Sequence, residues 1–223
     1  EFVDQFLVKG LEVSHVVTGY DYVFGNKRGG NANFLKERGR EAGFGVTAVD
    51  EFRIDATAQV SSTAIREFLS EGACQKAAQL LGRYWEIAGR VEHGDKRGRQ
   101  LGFPTANLPL GEHHHPREGV YAVRAGVDHG GETVWHDAVA NFGRRPTFNK
   151  TDVLLEVHLF DFDEDLYNRN LRVGLIDFIR PEQKFDGLDA LKAQLSQDCD
   201  TARTILGAQT FPANPHPFVA MAS

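Results

Sequence analysis

An alternating segment, Tyr84-Trp85-Glu86-Ile87-Ala88-Gly89-Arg90-Val91, marks a change in the character of the chain. Apolar or small residues recur in it at every second position, which is the period of a strand with one buried face. Similar segments follow at residues 119–127, 133–141, 153–161 and 171–180, separated by turns rich in Gly, Pro, Asp and Asn. Because few helices separate these strands, this part of the chain is predicted to form an antiparallel barrel or sandwich.

A helix is predicted after the last of these strands, over residues 187–206. Its apolar positions include Leu188 and Leu191, which place it against one end of the predicted barrel or sandwich. Beyond residue 207 the chain is rich in proline, which predicts a flexible tail over residues 208–223.

The first 82 residues have a different pattern, in which helices and strands alternate. Helices are predicted near Phe2 and over residues 33–43, and strands over residues 14–18 and 45–50. Two more helices follow, one that begins after a cap at Ser61 and one over residues 74–81. Alternation of this kind implies a parallel sheet. We therefore expect an α/β domain over residues 1–82 and an all-β domain over residues 83–207. No strand precedes the first helix, which predicts that the chain begins inside a domain.

The composition is that of an ordinary globular protein, with 41% hydrophobic and 25% charged residues. The net charge of −6 argues against broad nucleic-acid binding, which usually needs a basic surface. An anionic substrate would therefore need a local basic patch. Cys74 and Cys199 are far apart and lack metal-ligand spacing, so we expect no disulfide framework, no zinc site and a cytoplasmic location. No apolar run approaches the length of a membrane span.

A basic, glycine-rich stretch precedes two small oxygen donors, Thr105 and Asn107. Its glycines, which permit close approach of the backbone to a ligand, are Gly89, Gly94, Gly98 and Gly102. Its positively charged side chains, which attract anions, are Lys96, Arg97 and Arg99. Hard oxygen donors beside such a loop suit magnesium-bound phosphate. The alternative is a polar hairpin in which Thr105 and Asn107 only satisfy their own backbone.

Glu156 is a carboxylate in the apolar strand Leu154-Leu155-Glu156-Val157-His158-Leu159. The strand period sends Glu156 and His158 to the face opposite Leu155 and Val157. Burial on that face would raise the pKa of the carboxyl group toward that of a useful general base. The alternative is a solvent-facing glutamate on the outside of a barrel.

Four blocks in this order resemble the bacterial riboflavin kinase modules. They are Gly98 to Asn107 with its Pro-Thr-Ala-Asn core, Ala140 to Phe148, Glu156 to Leu159, and Arg180 to Phe185. The resemblance implies a six-stranded Greek-key barrel over roughly residues 83–207. It also implies that ATP and Mg²⁺ are held by the glycine loop, by Thr105 and Asn107 as the metal ligands, and by Asn141 and Arg144.

The same resemblance implies a role for Glu156. It would activate the ribityl 5′-hydroxyl of riboflavin, so that riboflavin and ATP give FMN and ADP. Asn168 stands where the family often has Gly after Leu-Tyr, which leaves the conformation of that turn open.

The N-terminal part resembles the flavin-adenylylating module of bacterial bifunctional FAD synthetases. The matching blocks are Val16 to Gly25, followed by Arg28 and Gly30, and Val60 to Arg66. The likeness implies a Rossmann-like nucleotidyltransferase segment in which Ser62, Thr63 and Arg66 hold phosphate at a helix start. The alternative is a simple helix cap. The family's His-x-Gly-His signature is absent, which predicts an N-terminally truncated form of a riboflavin kinase/FMN adenylyltransferase whose parent also converts FMN to FAD.

Two other functions compete with a kinase. A non-catalytic flavin- or nucleotide-binding fragment would retain the loop without turnover, and an ATP-dependent assay distinguishes it. A single-stranded nucleic-acid binder on a small barrel would need aromatic residues interleaved with Lys and Arg on one face. The acidic sequence shows no such stripe, so neither nucleic acid nor membrane is an expected partner, and the oligomeric state stays open.

Overall fold

The computed structural model describes residues 1–51, 60–94, 98, 101–146 and 151–209. They fall into two compact units, residues 1–60 and the chain from Ser61 onward. Most of the predicted flexible tail, residues 210–223, lies outside the described residues. Among the residues that are described, no helix is both long and apolar enough to cross a membrane.

The first unit is a small α/β arrangement. Its elements are a π-helix over Val3–Gly10, β1 (His15–Gly19), β2 (Val23–Phe24), a 3₁₀ turn over Asn26–Arg28, β3 (Gly30–Asn31), α1 (Ala32–Ala42) and β4 (Gly45–Val49). β1 and β4 pair in parallel, as the alternation of helices and strands predicts. Asn31 caps α1 by accepting a hydrogen bond of 2.9 Å from the backbone of Phe34. Val3, Leu35 and Phe44 form the core of this unit.

The described residues of the second unit include two helices, six strands and a final helix. They are α2 (Ser62–Glu71), α3 (Cys74–Leu81), β5 (Glu86–Arg90), β6 (Ala106–Pro109), β7 (Gly119–Asp128), β8 (Thr133–Pro146), β9 (Thr151–Leu159), β10 (Asn170–Arg180) and α4 (Leu188–Gly207). The helix and strand predictions from the sequence match these elements, except that β2, β3 and the short strand β6 were not predicted.

The six strands form an antiparallel Greek-key barrel, which confirms the predicted fold. Their order is β5-β10-β7-β8-β9-β6, so β10 returns to lie beside β7 after the β7-β8-β9 meander. The two edges of the sheet approach each other where the Glu92 backbone donates a hydrogen bond of 2.9 Å to the Asn107 carbonyl. The interior is filled by fully buried side chains such as Tyr121, Phe142 and Leu155.

The helices α2 and α3 pack against the barrel. Cys74 lies in the barrel core, and burial raises the pKa of its thiol to about 12. The Gln75 side chain donates a hydrogen bond of 3.1 Å to the Ile176 carbonyl of β10. A Cβ added to Gly72 would lie only 3.0 Å from the Phe178 ring. These helices therefore pack as part of the unit that begins at Ser61, whereas the boundary expected from the sequence follows residue 82.

The helix α4 covers part of the outer face of the barrel. Its buried residues are Asp198, Ala202 and Leu206. Arg180, at the end of β10, donates two hydrogen bonds of 2.8 and 2.7 Å to the Asp198 carboxylate. Leu188, one of the apolar positions of the predicted helix, is 68% exposed. Packing of α4 is thus centred on its second half and on one buried ion pair.

Candidate active site

One row of side chains runs across five strands on the outer face of the barrel. Neighbouring strands pair Asn107 with Glu156, Glu156 with Asn141, Asn141 with Val120, and Val120 with Arg180. Directly opposed residues of antiparallel strands project to the same face, so these positions form a continuous line, called here the outer row. In the outer row the Glu156 carboxylate stands between two side-chain amides.

The alternation of β9 explains why Glu156 lies on this face. Leu155 and Val157, its neighbours along the strand, are fully buried in the barrel core. Glu156 and His158 point the other way and are half-buried. His158 is held by a contact of 2.8 Å between its Nδ1 and the Pro104 carbonyl. The face predicted from the sequence is therefore the one observed, and Glu156 is placed on the outside of the barrel without being fully exposed.

The Asn107 side chain has the features of a cation ligand. It is buried, and Oδ1 has no hydrogen-bond partner among the described residues. A buried carbonyl oxygen without a partner is unusual, and an absent ion is one of its ordinary explanations. Amide oxygens are suitable Mg²⁺ ligands. The residues present thus fit a divalent cation at this position.

Gly94 closes over Asn107 from the loop side. A Cβ added to Gly94 would lie 2.4 Å from Asn107 Nδ2 and 2.9 Å from Oδ1, closer than Cβ atoms approach their neighbours in folded proteins. Only glycine lets the loop backbone rest on the amide, which is why the side chain is buried although it is on the outer face. The glycine-rich loop and the β6 amide are therefore one structural unit.

Gly98 and residues 101–104, the other described residues of this loop, lead to Thr105. The Phe103 backbone donates a hydrogen bond of 2.8 Å to the Gly98 carbonyl, and a Cβ on Gly98 would lie 3.6 Å from Thr105 Oγ1. Gly102 has a positive φ of 88° and turns the chain toward β6. The predicted cations of this loop lie outside the described residues; they are Lys96, Arg97 and Arg99.

A cleft of about 170 Å³ opens beside Thr105 and was not predicted from the sequence. Its lining combines apolar side chains with three carboxylates; the lining residues are Val91, Pro104, Thr105, Ala106, Val157, Leu159, Phe162, Asp163, Glu164, Asp165, Leu166 and Tyr167. The Tyr167 ring lies against the His93 ring, with centroids 3.9 Å apart. Asn168 adopts the left-handed conformation, φ 62°, so it can serve in the turn where the family often has Gly. The only sequence signal for this cleft is the Leu-Tyr pair before that turn.

Several other predicted residues lie apart from the outer row. Arg144 is exposed and donates a hydrogen bond of 2.7 Å to Glu118. Gly89 lies in β5 opposite Leu171, and a Cβ there would make ordinary contacts, the nearest at 3.7 Å. Asn141, by contrast, is in the row and donates a hydrogen bond of 3.2 Å to Glu182. Glu182 was not predicted as a site residue, since it lies 41 positions away in the sequence.

The predicted phosphate contacts of the N-terminal motif lie on α2. Ser62, Thr63 and Arg66 are all exposed, and Thr63 and Arg66 line a shallow depression on the helix surface. Ser61 occupies the cap position, and its Oγ accepts a hydrogen bond of 3.1 Å from the Ala64 backbone. The structure does not bring these three residues to the outer row.

The fold and the outer row define a small β-barrel with a cation-competent oxygen site and an adjacent carboxylate. The model of the riboflavin kinase family matches residues 81–206, and that of the FAD synthetase family matches residues 1–64. The first match covers more than half of the sequence. The chain therefore belongs to the riboflavin kinase family.

Known relatives agree with this membership. The chain is 42% identical to the bifunctional riboflavin kinase/FMN adenylyltransferase of Haemophilus influenzae, over 93% of this chain and 66% of the relative. It is 43% identical to the protein of the same name from Escherichia coli strain K12, over 92% of this chain and 64% of that relative. The crystal structure of a macrolide-efflux protein from Streptococcus pneumoniae matches 91% of this chain and 64% of that one, with 34% identity and a TM-score of 0.73. The chain thus spans about two thirds of the length of these relatives.

Proposed function

We propose that this protein transfers the γ-phosphoryl group of ATP to the ribityl 5′-hydroxyl of riboflavin, giving FMN and ADP. The observation that carries the proposal is the outer row, in which Glu156 lies between Asn107 and Asn141. Phosphoryl transfer needs little covalent chemistry from the protein; it needs a bound nucleotide, an alcohol aligned with its γ-phosphorus, and a proton acceptor beside that alcohol. The row supplies a place for each.

The nucleotide belongs on the β6 side of Glu156. Asn107 Oδ1 and Thr105 Oγ1 would hold Mg²⁺, which when bound compensates the charge of the phosphate oxygens. Of the loop residues that the structure describes, Gly94 lies against Asn107 and Gly98 lies near Thr105, where backbone groups of glycines can approach a phosphate. The apolar side chains that line the cleft beside Thr105 suit a nucleobase, and the base can stack on the ring of Tyr167.

The alcohol belongs on the β8 side of Glu156. There the Glu156 carboxylate accepts the hydroxyl proton while the ribityl oxygen forms a bond to the γ-phosphorus and the bond to the bridging oxygen of ADP breaks. A positioned carboxylate of this kind contributes roughly 10²–10⁴-fold to rate. An in-line transfer requires the ribityl oxygen, the γ-phosphorus and the bridging oxygen of ADP to lie close to one line, so the two substrates must meet beside the Glu156 carboxylate.

The direct test is a product analysis. Riboflavin, ATP and Mg²⁺ are incubated with the folded chain, and FMN is separated by chromatography and identified by mass. We expect FMN, and we expect chelation of Mg²⁺ to abolish it. A folded, magnesium-replete sample that forms no FMN would show that the proposal is wrong and would favour a non-catalytic binding fragment.

The match of residues 1–64 to the FAD synthetase model supports a second function for the whole protein, adenylylation of FMN to FAD. In this proposal Ser62, Thr63 and Arg66 contact the nucleotide. The segment that serves adenylylation ends in the sequence near residue 82, although α2 and α3 pack with the barrel. The test measures FMN and FAD in the same reaction of the whole protein. Thr63→Ala and Arg66→Ala should lower FAD formation and leave FMN formation unchanged; loss of both products would contradict the assignment.

A further inference from the structure

Asn141, on the β8 side of Glu156, makes a contact whose role the proposed reaction leaves unexplained. Asn141 Nδ2 donates a hydrogen bond of 3.2 Å to Glu182 Oε1, across a chain separation of 41 residues. Gly143, two residues further along β8, is buried beneath the same carboxylate. A Cβ on Gly143 would lie only 1.9 Å from Glu182 Oε1. The carboxylate therefore occupies the space that a side chain at position 143 would take.

This contact fixes the orientation of the Asn141 amide. An ionised carboxylate can only accept hydrogen bonds, so the amide must present its nitrogen to Glu182. The oxygen, Oδ1, is then turned away from Glu182 and remains an acceptor. Without Glu182 the amide could rotate by half a turn and present a donor instead.

Glu182 is itself held from α4. Arg180, two residues earlier, is anchored by its paired hydrogen bonds to the buried Asp198 carboxylate. Gln183, the next residue, donates a hydrogen bond of 3.1 Å to Gln194 of α4. The loop is thus fixed on both sides of Glu182, although the Glu182 side chain is exposed.

We propose that Glu182 is a positioning residue that acts through Asn141. It holds Asn141 Oδ1 as an acceptor for a hydroxyl of the ribityl chain, beside the hydroxyl that Glu156 deprotonates. The inference rests on the proposed kinase function, because a polyol acceptor is what gives Oδ1 a hydroxyl to bind. Water leaves this part of the row when the flavin occupies it, which strengthens the Asn141–Glu182 hydrogen bond.

The test compares Glu182→Ala, Glu182→Gln and Gly143→Ala in steady-state kinetics with riboflavin and Mg-ATP varied separately. Loss of the acceptor in Glu182→Ala should lower kcat/KM for riboflavin about tenfold and leave KM for Mg-ATP within about twofold. The side-chain amide introduced by Glu182→Gln keeps an oxygen that accepts, so this variant should stay within about threefold of wild type. Gly143→Ala should reproduce the Glu182→Ala loss, because it displaces the same carboxylate.

A double variant separates positioning from a merely structural role. If Glu182 acts through Asn141, adding Glu182→Ala to Asn141→Ala should change kcat/KM by less than about twofold. Glu132→Ala, in the β7–β8 turn, and Gly174→Ala, where a Cβ meets nothing closer than 3.7 Å, are the matched controls. Thermal unfolding checks that each variant folds; if Gly143→Ala does not, the Glu182 series decides alone.

The outcomes are distinct. No loss in Glu182→Ala, an additive loss in the double variant, or a parallel rise in KM for Mg-ATP would each overturn the positioning role. A wild-type chain that forms no FMN would instead overturn the proposed function itself.

Discussion

Two places in this chain carry residue types that favour phosphate, and the two differ in the burial of their side chains. At the start of α2, Ser62, Thr63 and Arg66 are exposed, and Ser61 already satisfies a free backbone N–H of the helix. In β6, Asn107 is buried, its Oδ1 has no hydrogen-bond partner among the described residues, and Gly94 lies directly on its amide. Residue type is the same kind of evidence in both places. In β6 a buried acceptor without a partner among the described residues is a second observation that points to a ligand, and at the start of α2 residue type is the evidence.

The largest expected effect comes from Glu156, at the centre of the outer row. Glu156→Gln keeps the shape of the side chain and removes its ability to accept a proton, so kcat should fall by roughly 10²–10⁴-fold. Riboflavin binding, followed by quenching of flavin fluorescence, should change little. Near-normal turnover would make Glu156 a structural residue of β9 and would remove the main difference between the two places.

Asn107→Leu tests the unpartnered oxygen itself. Removing this buried acceptor should leave the free energy of unfolding unchanged within about 1 kcal/mol, because Oδ1 has no hydrogen-bond partner among the described residues. Mg-ATP affinity should fall roughly 10–100-fold, as for other disturbed metal sites. The measurements are urea unfolding and the shift in melting temperature on adding Mg-ATP. A large loss of stability with unchanged Mg-ATP binding would mean that Asn107 is a structural residue.

Gly94→Ala tests the contact between the loop and the amide. The new Cβ would lie 2.4 Å from Asn107 Nδ2, so the loop must move away from β6. We expect a loss of roughly 1–3 kcal/mol in the free energy of unfolding, typical of overpacking, together with weaker Mg-ATP binding. Gly174→Ala is the control, and equal behaviour of the two variants would contradict the close approach that defines the site.

Arg66→Ala should have the smallest effect on the kinase reaction. Arg66 is exposed on α2 and lies apart from the outer row, so the rate of FMN formation should change by less than about twofold, the range of ordinary surface substitutions. The same substitution is expected to lower FAD formation in the whole protein. A fall of FMN formation comparable to that of Asn107→Leu would erase the contrast between the two places.

The sequence predicts much of this architecture because its signals are local. The period of β9 places Glu156 on the face opposite Leu155 and Val157, and Ser61 marks the start of α2. The short strand β6 escapes prediction, since it has only four residues and ends in a proline. Pattern alone gives no register, so the alignment of Asn107, Glu156 and Asn141 needs the folded sheet.

The contacts that sequence reasoning missed join distant parts of the chain. Glu182 contacts Asn141 because β10 returns beside β7. The cleft beside Thr105 forms where residues 104–106 and 162–167, which are distant in the sequence, come together. On α4, the apolar spacing favours Leu188 as a core position, yet the buried contact is made by Asp198, whose charge is matched by Arg180 of β10. A buried carboxylate of this kind is unpredictable from periodicity, because its partner lies on another element.

The packing of α2 and α3 has a consequence for how this chain can be divided or recombined. Cys74 belongs to the barrel core, and Gln75 is bonded to the carbonyl of Ile176 on β10. Dividing the chain after residue 82 would remove α2 and α3 from the barrel and expose its interior to water. A split before Ser61 would keep them together. In an exchange of modules, α2, which carries the proposed adenylylation contacts, would then have to move together with the barrel.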